Sequence, residues 1–301
     1  MVSTLLSTER DVNNAVARRS SRRSFVLHEV GHQQYYWRGE GWLSIKSFRG
    51  GTAFYNAGQG HFAVDDDHYL VLNQGQHYSI TIDSEAPIES FCVFFESHLA
   101  ENVHRSMSAS QFLLLDQPDQ PPPHSVNFFE KTYRHDGILS PTLGQFKRSL
   151  PRMKHEAGWL DEQLHRLMER LLQVHARVRL EADSLAAARP ATREELYRRL
   201  WRARDYMMSR LDQPVLLDEM ARVACLSPNH FIRTFRQAFG QSPHQFLVSR
   251  RLERAAILLA GTDTPVTDVC YSVGFESPGS FSWLFRKRYG VSPLGYRLQK
   301  S

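Results

Sequence analysis

The sequence predicts a two-domain α+β chain, with antiparallel strands in front and an all-helical region behind. Three observations carry this. Between residues 24 and 95, short segments rich in aromatic and β-branched side chains alternate with Gly-containing breaks: FVLHEV, QQYYWRG, GWLSIKSF, TAFYNA, HFAV, HYLVLNQ, QHYSITI and IESFCVFF. Strands at such spacing belong to an antiparallel sandwich or barrel. Residues 116–124, DQPDQPPPH, break regular structure, because consecutive prolines remove amide donors and favour an extended backbone. Beyond them the apolar period is helical, and the last third of the chain repeats itself.

The repeat pairs SPNHFIRTFRQAFGQSP, residues 227–243, with SPGSFSWLFRKRYGVSP, residues 277–293. In each copy Ser suits the N-cap, Pro the first helical position, and Gly the left-handed residue that ends a helix. Phe231, Phe235 and Phe239 recur at i, i+4 and i+8 and predict one buried stripe, as do Phe281, Phe285 and Tyr289. Asn229, Arg233 and Arg236 then fall outward in the first copy, and Gly279, Trp283 and Arg286 in the second. A short apolar segment precedes each copy: Leu217, Met220, Ala221 and Ala224, then Val266, Val269, Cys270 and Val273. The second turn is one residue longer and offers Gly274 for a positive φ. Two short helices joined by a tight turn, the second presenting basic and polar groups, form a helix-turn-helix, and the chain predicts two.

ARVACLSPNHFIRTFRQAFGQSPHQFLVSRRLERAAILL followed by VTDVCYSVGFESPGSFSWLFRKRYGVSPLGYR resembles the DNA-binding domain of AraC/XylS-type bacterial transcription regulators, over about residues 193–298. The resemblance implies two recognition helices in successive major-groove segments, joined by a long rigid helix. Gln245 to Leu259, ended by Gly261, fits that linker, with Phe246, Leu252, Ala255, Ala256 and Leu259 on its buried side. The chain departs from the pattern at Cys225, where the first turn usually has Gly, and at Trp283, where the second recognition helix often has Arg. The resemblance further implies a cupin-like barrel that holds a small-molecule effector, with DDDHYLVLNQGQHYSITI as its central hairpin. Dimerisation through helices after the barrel follows on the same ground, as does contact with RNA polymerase if the chain activates transcription.

The expected organisation is a mobile arm at 1–23, a cupin-like effector domain at 24–115, a helical dimerisation and linker segment at 125–190, and a DNA-binding domain at 193–301. Leu160, Leu164, Leu167, Leu171, Val174 and Val178 form a heptad seam, suited either to a contact between subunits or to packing on the chain's own barrel. Pro190 is expected to end one helix, and Thr192 with Glu195 to make a capping box for the next. Leu196, Leu200, Ala203, Met207 and Leu211 would form the core face of that helix. Candidate effector contacts are Arg38, Trp42, His61 and His77, as inward side chains of a barrel. Candidate DNA contacts are Asn229, Ile232, Arg233, Arg236, Ser282, Trp283 and Arg286. Arg233 has the fork for guanine, Asn229 the amide for adenine, and Ile232 the apolar surface for a thymine methyl. Arg236, Arg251, Arg254, Lys287 and Arg288 are assigned to phosphate or solvent.

From residue 193 onward 17 Lys plus Arg stand against 10 Asp plus Glu, a net +7, while residues 1–192 carry 20 against 22, a net −2. The basic excess sits on the repeats and fits a polyanion, here double-stranded promoter DNA. No apolar run of about eighteen residues suits a membrane span, and no apolar stretch after Arg18, Arg19, Arg22 and Arg23 makes a secretory signal. A cytoplasmic protein is expected. Cys92, Cys225 and Cys270 form no CxxC pair, and buried thiols are expected at each. His61, His68 and His77 lack the His-x-His pair of catalytic cupins, so no metal, other cofactor or catalytic residue is expected. Three alternatives stay open: a regulator without an effector, a metal-dependent cupin enzyme fused to a DNA-binding module, and an alkyl-accepting repair sensor, which needs exposed, activated thiols.

Overall fold

The computed structural model describes residues 24–108, 125–153, 156, 158–185 and 189–300; the arm at 1–23 and the break at 116–124 lie outside the described residues. The chain divides into two compact units, Met1–Glu194 and Glu195–Ser301.

The first unit is built on β1 (Phe25–Glu40), β2 (Ser44–Arg49), β3 (Ala53–Ala57), β4 (Gly60–Val64), β5 (His68–Leu72), β6 (His77–Phe94) and β7 (Thr132–Arg134). The sheet runs β4-β3-β6-β2-β5-β7, with β1 also on β6. FVLHEV and QQYYWRG merge into β1, and QHYSITI and IESFCVFF merge into β6. The two long strands pair from Phe25↔Phe94 to Glu40↔His77, with register shifts around Val30, His32 and Gln34. Such irregularity bends a strand. The front half of β6 pairs with β3 and its rear half with β2, and the sheet curls around a core that includes Phe25, Tyr55, Phe62, Leu70, Ile82 and Phe94.

Two expectations change. The sheet is open rather than a closed barrel: among the described residues no ladder joins β4 to β7. β5 and β6 are also not a hairpin, because β5 pairs with β2 and β7 while β6 pairs with β1, β2 and β3. All five residues of β5 are buried, so the alternation that would mark its register is missing.

Among the described residues of this unit the sheet is joined by the helices α1 (Leu99–Ser108), α2 (Ser140–Met153) and α3 (Trp159–Asp183). Glu89 on β6 ties α2 to the sheet, accepting from Lys147 at 2.5 Å and from His28 at 2.8 Å. Burial pushes the Glu89 carboxyl up, but the hydrogen bonds and charges of Lys147 and His28 outweigh it and hold the group below the usual range. α3 packs on α1 and α2. Leu164, Leu167, Leu171, Val174 and Val178 are at most 5% exposed, and Leu160 is half-buried. The chain's own elements therefore cover the seam that was open to a subunit contact. Its opposite face carries Glu162, Arg166, Glu169 and Arg170 in solvent.

α4 (Pro190–Met208) opens at Pro190 instead of following it. Pro suits a first helical turn, where no amide hydrogen is needed. Thr192 then lies inside the first turn, and Glu195 pairs with Arg199 at 2.7 Å, so the expected capping box does not define this start. Leu200, Ala203 and Met207 are buried, whereas Leu196 and Leu211 are only half-buried.

The second unit continues with α5 (Leu217–Val223), α6 (Pro228–Phe239), α7 (Pro243–Gly261), α8 (Val266–Ser272), α9 (Pro278–Tyr289) and α10 (Pro293–Lys300). Gly240 and Gly290 end α6 and α9 with φ of 72° and 80°. The Phe235 ring lies 5.3, 4.4 and 5.7 Å from Phe231, Phe239 and Phe246. Phe285 lies 5.6, 4.6 and 5.4 Å from Phe281, Tyr289 and Tyr296. α7 supplies Phe246 to the first stack, and Leu252, Ala255, Ala256 and Leu259 to the second cluster. One helix thus floors both helix-turn-helix units, and Ser242 with Gln245 closes a capping box at its start.

The two turns differ. Gly274 has φ 86°, and its counterpart Cys225 holds a positive φ of 51°. A Cβ on Gly274 would stand 2.3 Å from the Leu211 carbonyl oxygen and 2.8 Å from Arg251 Nη2. The Cys225 side chain is exposed, which corrects the expectation of burial there; Cys92 and Cys270 are buried. Gly274→Ala is expected to destabilise the fold by about 2 kcal/mol or more. Cys225→Gly is expected to stabilise it by about 1 kcal/mol, since a side chain in the left-handed region costs that order. Urea unfolding of the full chain reads both, and an unchanged midpoint for Gly274→Ala contradicts the reading.

Candidate nucleic-acid interface

The phenylalanine stripe fixes which side of α6 faces solvent. Phe231, Thr234 and Phe235 are buried; Asn229, Arg233 and Arg236 are exposed and Ile232 is half-buried. Thr234 Oγ1 donates to the His230 carbonyl at 2.6 Å, so the polar group on the buried side is satisfied within the helix. Ser227 takes the N-cap position with an extended backbone, but its hydroxyl accepts no cap bond. In α9, Ser277 accepts from the Ser280 amide at 3.4 Å. Trp283 is 63% exposed, Arg286 is exposed and Ser282 is half-buried. Lys287 Nζ stands 5.0 Å from the Trp283 ring centroid, within cation–π range.

Two basic residues assigned to phosphate or solvent belong to the fold instead. Arg251 donates through Nε to the Leu211 carbonyl at 2.9 Å and through Nη2 to the Gln213 carbonyl at 2.6 Å, and burial pulls its guanidinium below the usual range. Arg288 lies 2.6 Å from Glu253, which Arg250 also meets at 2.6 Å. A basic residue at a helix flank carries no mark in sequence of the distant carbonyl or carboxylate it will meet.

The first unit holds a cavity of about 60 Å³ open to water centres, walled by Tyr35, Trp37, Phe48, Tyr55, Tyr78 and Phe94, with Lys46, Glu29, Ser90 and Cys92 as polar members. Its walls follow the alternation of the strands. Trp37 and Tyr78 point in, so their neighbours Arg38 and His77 point out and are exposed. Trp42 packs edge-on to Phe25 at 5.4 Å, and His61 Nδ1 lies 2.5 Å from Asn56 Oδ1. None of these four candidate effector contacts lines the cavity. His68 Nδ1 lies 2.8 Å from Asp65. Among the described residues no group of three or more His, Cys, Asp or Glu could hold a metal ion.

Lys46 is the cavity residue that sequence reasoning missed. It is 2% exposed, its Nζ lies 3.3 Å from the Tyr78 hydroxyl and 3.6 Å from the Phe94 ring centroid. The available signal was its place two residues before Phe48 on one face of β2. Burial pulls its ammonium from the ordinary 10.5 down to about 8. Between those values the unfolded chain binds the proton more readily than the folded one, so the penalty is complete below pH 8 and is relieved as pH rises towards 10.5. Lys46→Met should therefore raise the unfolding free energy at pH 7, by about 3 kcal/mol at most. Denaturant unfolding should show that gain shrinking as pH rises from 8; a gain independent of pH contradicts this.

Residues 220–299 match a family described as a helix-turn-helix domain. The probable transcriptional regulator LumQ of Photobacterium leiognathi is 34% identical over 93 residues, covering 31% of this chain and 38% of LumQ. The HTH-type transcriptional regulator MtrA of Neisseria gonorrhoeae is 40% identical over 81 residues, covering 27% of each chain. A crystal structure of the DNA-binding domain of AdpA in complex with a target DNA shares 31% identity, covers 33% of this chain and 90% of that one, and has a TM-score of 0.33. The chain thus spans 38% and 27% of the lengths of these two curated relatives. Its second unit thus carries an AraC-type helix-turn-helix DNA-binding domain, and the curated relatives it matches there are named as transcriptional regulators.

Proposed function

We propose that the chain binds promoter DNA sequence-specifically through its second unit, and that a small molecule in the first unit controls that binding. The observation that carries the reading is the shared floor: α6 and α9 each bury an aromatic stripe, turn a polar and basic face outward, and flank one helix. α7 has 19 residues, a length of about 28 Å at roughly 1.5 Å per residue. One turn of duplex DNA is about 34 Å. Recognition helices flanking such a spacer suit successive major-groove segments on one face.

In this reading Arg233 makes two hydrogen bonds to guanine, Asn229 addresses adenine, and Ile232 meets a thymine methyl. Arg236, Ser282 and Arg286 are assigned to the sugar–phosphate backbone. Trp283, with Lys287 over its ring, offers apolar and phosphate contact and no base-edge pairing, so the first helix-turn-helix dominates sequence choice. The cavity supports an effector, which can shift DNA binding only by its preference for one arrangement of the protein. Activation through RNA polymerase, a homodimer and a cytoplasmic location complete the proposal and rest on the family. The covered face of α3 directs any pairing of subunits to other surfaces. Among the described residues no helix is long and apolar enough to cross a membrane.

Site selection with purified protein tests this. Arg233→Ala should remove about 1–3 kcal/mol of discrimination at one base pair, while Trp283→Ala should weaken all sequences nearly equally. Affinity should fall steeply with salt, as counterion release requires. Binding that ignores both salt and base order contradicts the proposal, and loss of preference at defined positions in Trp283→Ala contradicts the division of labour.

A further inference from the structure

The cavity of the first unit contains an ammonium group, that of Lys46, which pairs with no carboxylate among the described residues. Lys46 carries three N–H donors, and one neutral acceptor, the Tyr78 hydroxyl, stands at 3.3 Å. The Phe94 and Tyr78 ring centroids lie 3.6 and 5.4 Å from Nζ. Among the described residues no carboxylate lies within ion-pair distance of it. Glu29 lines the same cavity, and its charge acts on Cys92. The Cys92 thiol is kept protonated by burial, and burial likewise keeps the Tyr55 and Tyr78 hydroxyls neutral. None of these three supplies the missing anion.

We infer that Lys46 anchors the carboxylate of a small, otherwise apolar ligand, so that the cavity prefers organic monocarboxylates to neutral or cationic molecules of the same shape. A carboxylate would complete the hydrogen bonding of Nζ with a charge-assisted bond in a water-poor site, where such bonds are strongest. The aromatic walls would cover the apolar body. A volume of about 60 Å³ open to water centres holds several waters at roughly 10–15 Å³ each, which suits one ring or a short chain bearing the acid group. The inference rests on the effector reading above, and names the chemistry that site would select.

The test uses the full chain at neutral pH and calorimetric titration with phenylacetate and hexanoate, their neutral amides, and phenethylamine as the cationic control. Each acid is expected to bind about tenfold or more tightly than its amide, a difference of about 1.4 kcal/mol, and phenethylamine to bind least. Lys46→Met, which keeps the length of the stem, should abolish the acid preference, so that acid and amide bind with the same affinity; a thermal melt confirms that the variant is folded. Tyr78→Phe is a second variant and should keep the preference, because the ammonium remains. Equal binding of acid and amide, absence of binding by either acid, or a preference that survives Lys46→Met overturns the inference. Promoter affinity measured with and without phenylacetate separates the two levels. Acid-selective binding that leaves DNA affinity unchanged retains the inference and removes effector control. A change in DNA affinity produced equally by acid and amide retains effector control and removes the inference.

Discussion

Two stacks of rings, Phe231–Phe235–Phe239 and Phe281–Phe285–Tyr289, with the first two members of each buried and the third, expected to be buried as well, only half-buried, set the rotation of the helices on which the second unit's chemistry depends. Each ring pair within them lies between 4.4 and 5.6 Å, centroid to centroid. Burying one such side chain contributes about 1.5–3 kcal/mol, and a ring pair adds about 0.5–1.5 kcal/mol. Rotating α6 would expose this surface, so Asn229, Arg233 and Arg236 are held outward by what lies beneath them. Phe246 and the aliphatic face of α7 extend the constraint, since both stacks rest on the same helix. The separation of the two presenting faces is thereby a property of one rigid element.

This part of the protein was legible because its signals are local. Ser-Pro before each helix, Gly after it and aromatic rings at a helical period act within a few residues, and the duplication states them twice. The turn was half legible: alignment with Gly274 places Cys225 in the left-handed region, but nothing local to either turn says that Leu211 and Arg251 crowd Gly274 while Cys225 is exposed. The front half was harder to read. Strands were recognisable, while their partners were not, because β5 is buried on both faces and β6 serves three neighbours, β1 along its length and β3 and β2 at its front and rear halves. The heptad of α3 announced a buried face without saying what covers it; α1, which shares that role with α2, lies between the last strand segment and the proline break, where no helix was predicted. Arg38 and His77 show how sharp the limit is. Each is one position from a wall of the cavity, and in a strand one position is the opposite side.

The two units hold their charge differently. The second carries its basic excess largely in solvent, where it is available to a polyanion, although Arg251 and Arg288 are bound within the fold. The first buries Lys46 among rings, an arrangement that costs stability in the empty protein and returns it to a ligand of opposite charge. Ligand binding to the folded state alone stabilises by mass action, so a unit with such a built-in deficit responds strongly to the molecule that fills it. Coupling to the second unit then requires that the filled form favour one arrangement on DNA.

The central claim is that both presenting faces engage one side of one duplex. Hydroxyl-radical footprinting of the full chain on its selected site tests it most directly. The account predicts two protected backbone segments per second unit, on the same face and about 10 base pairs apart. A single protected segment, or two on opposite faces of the duplex, would contradict it.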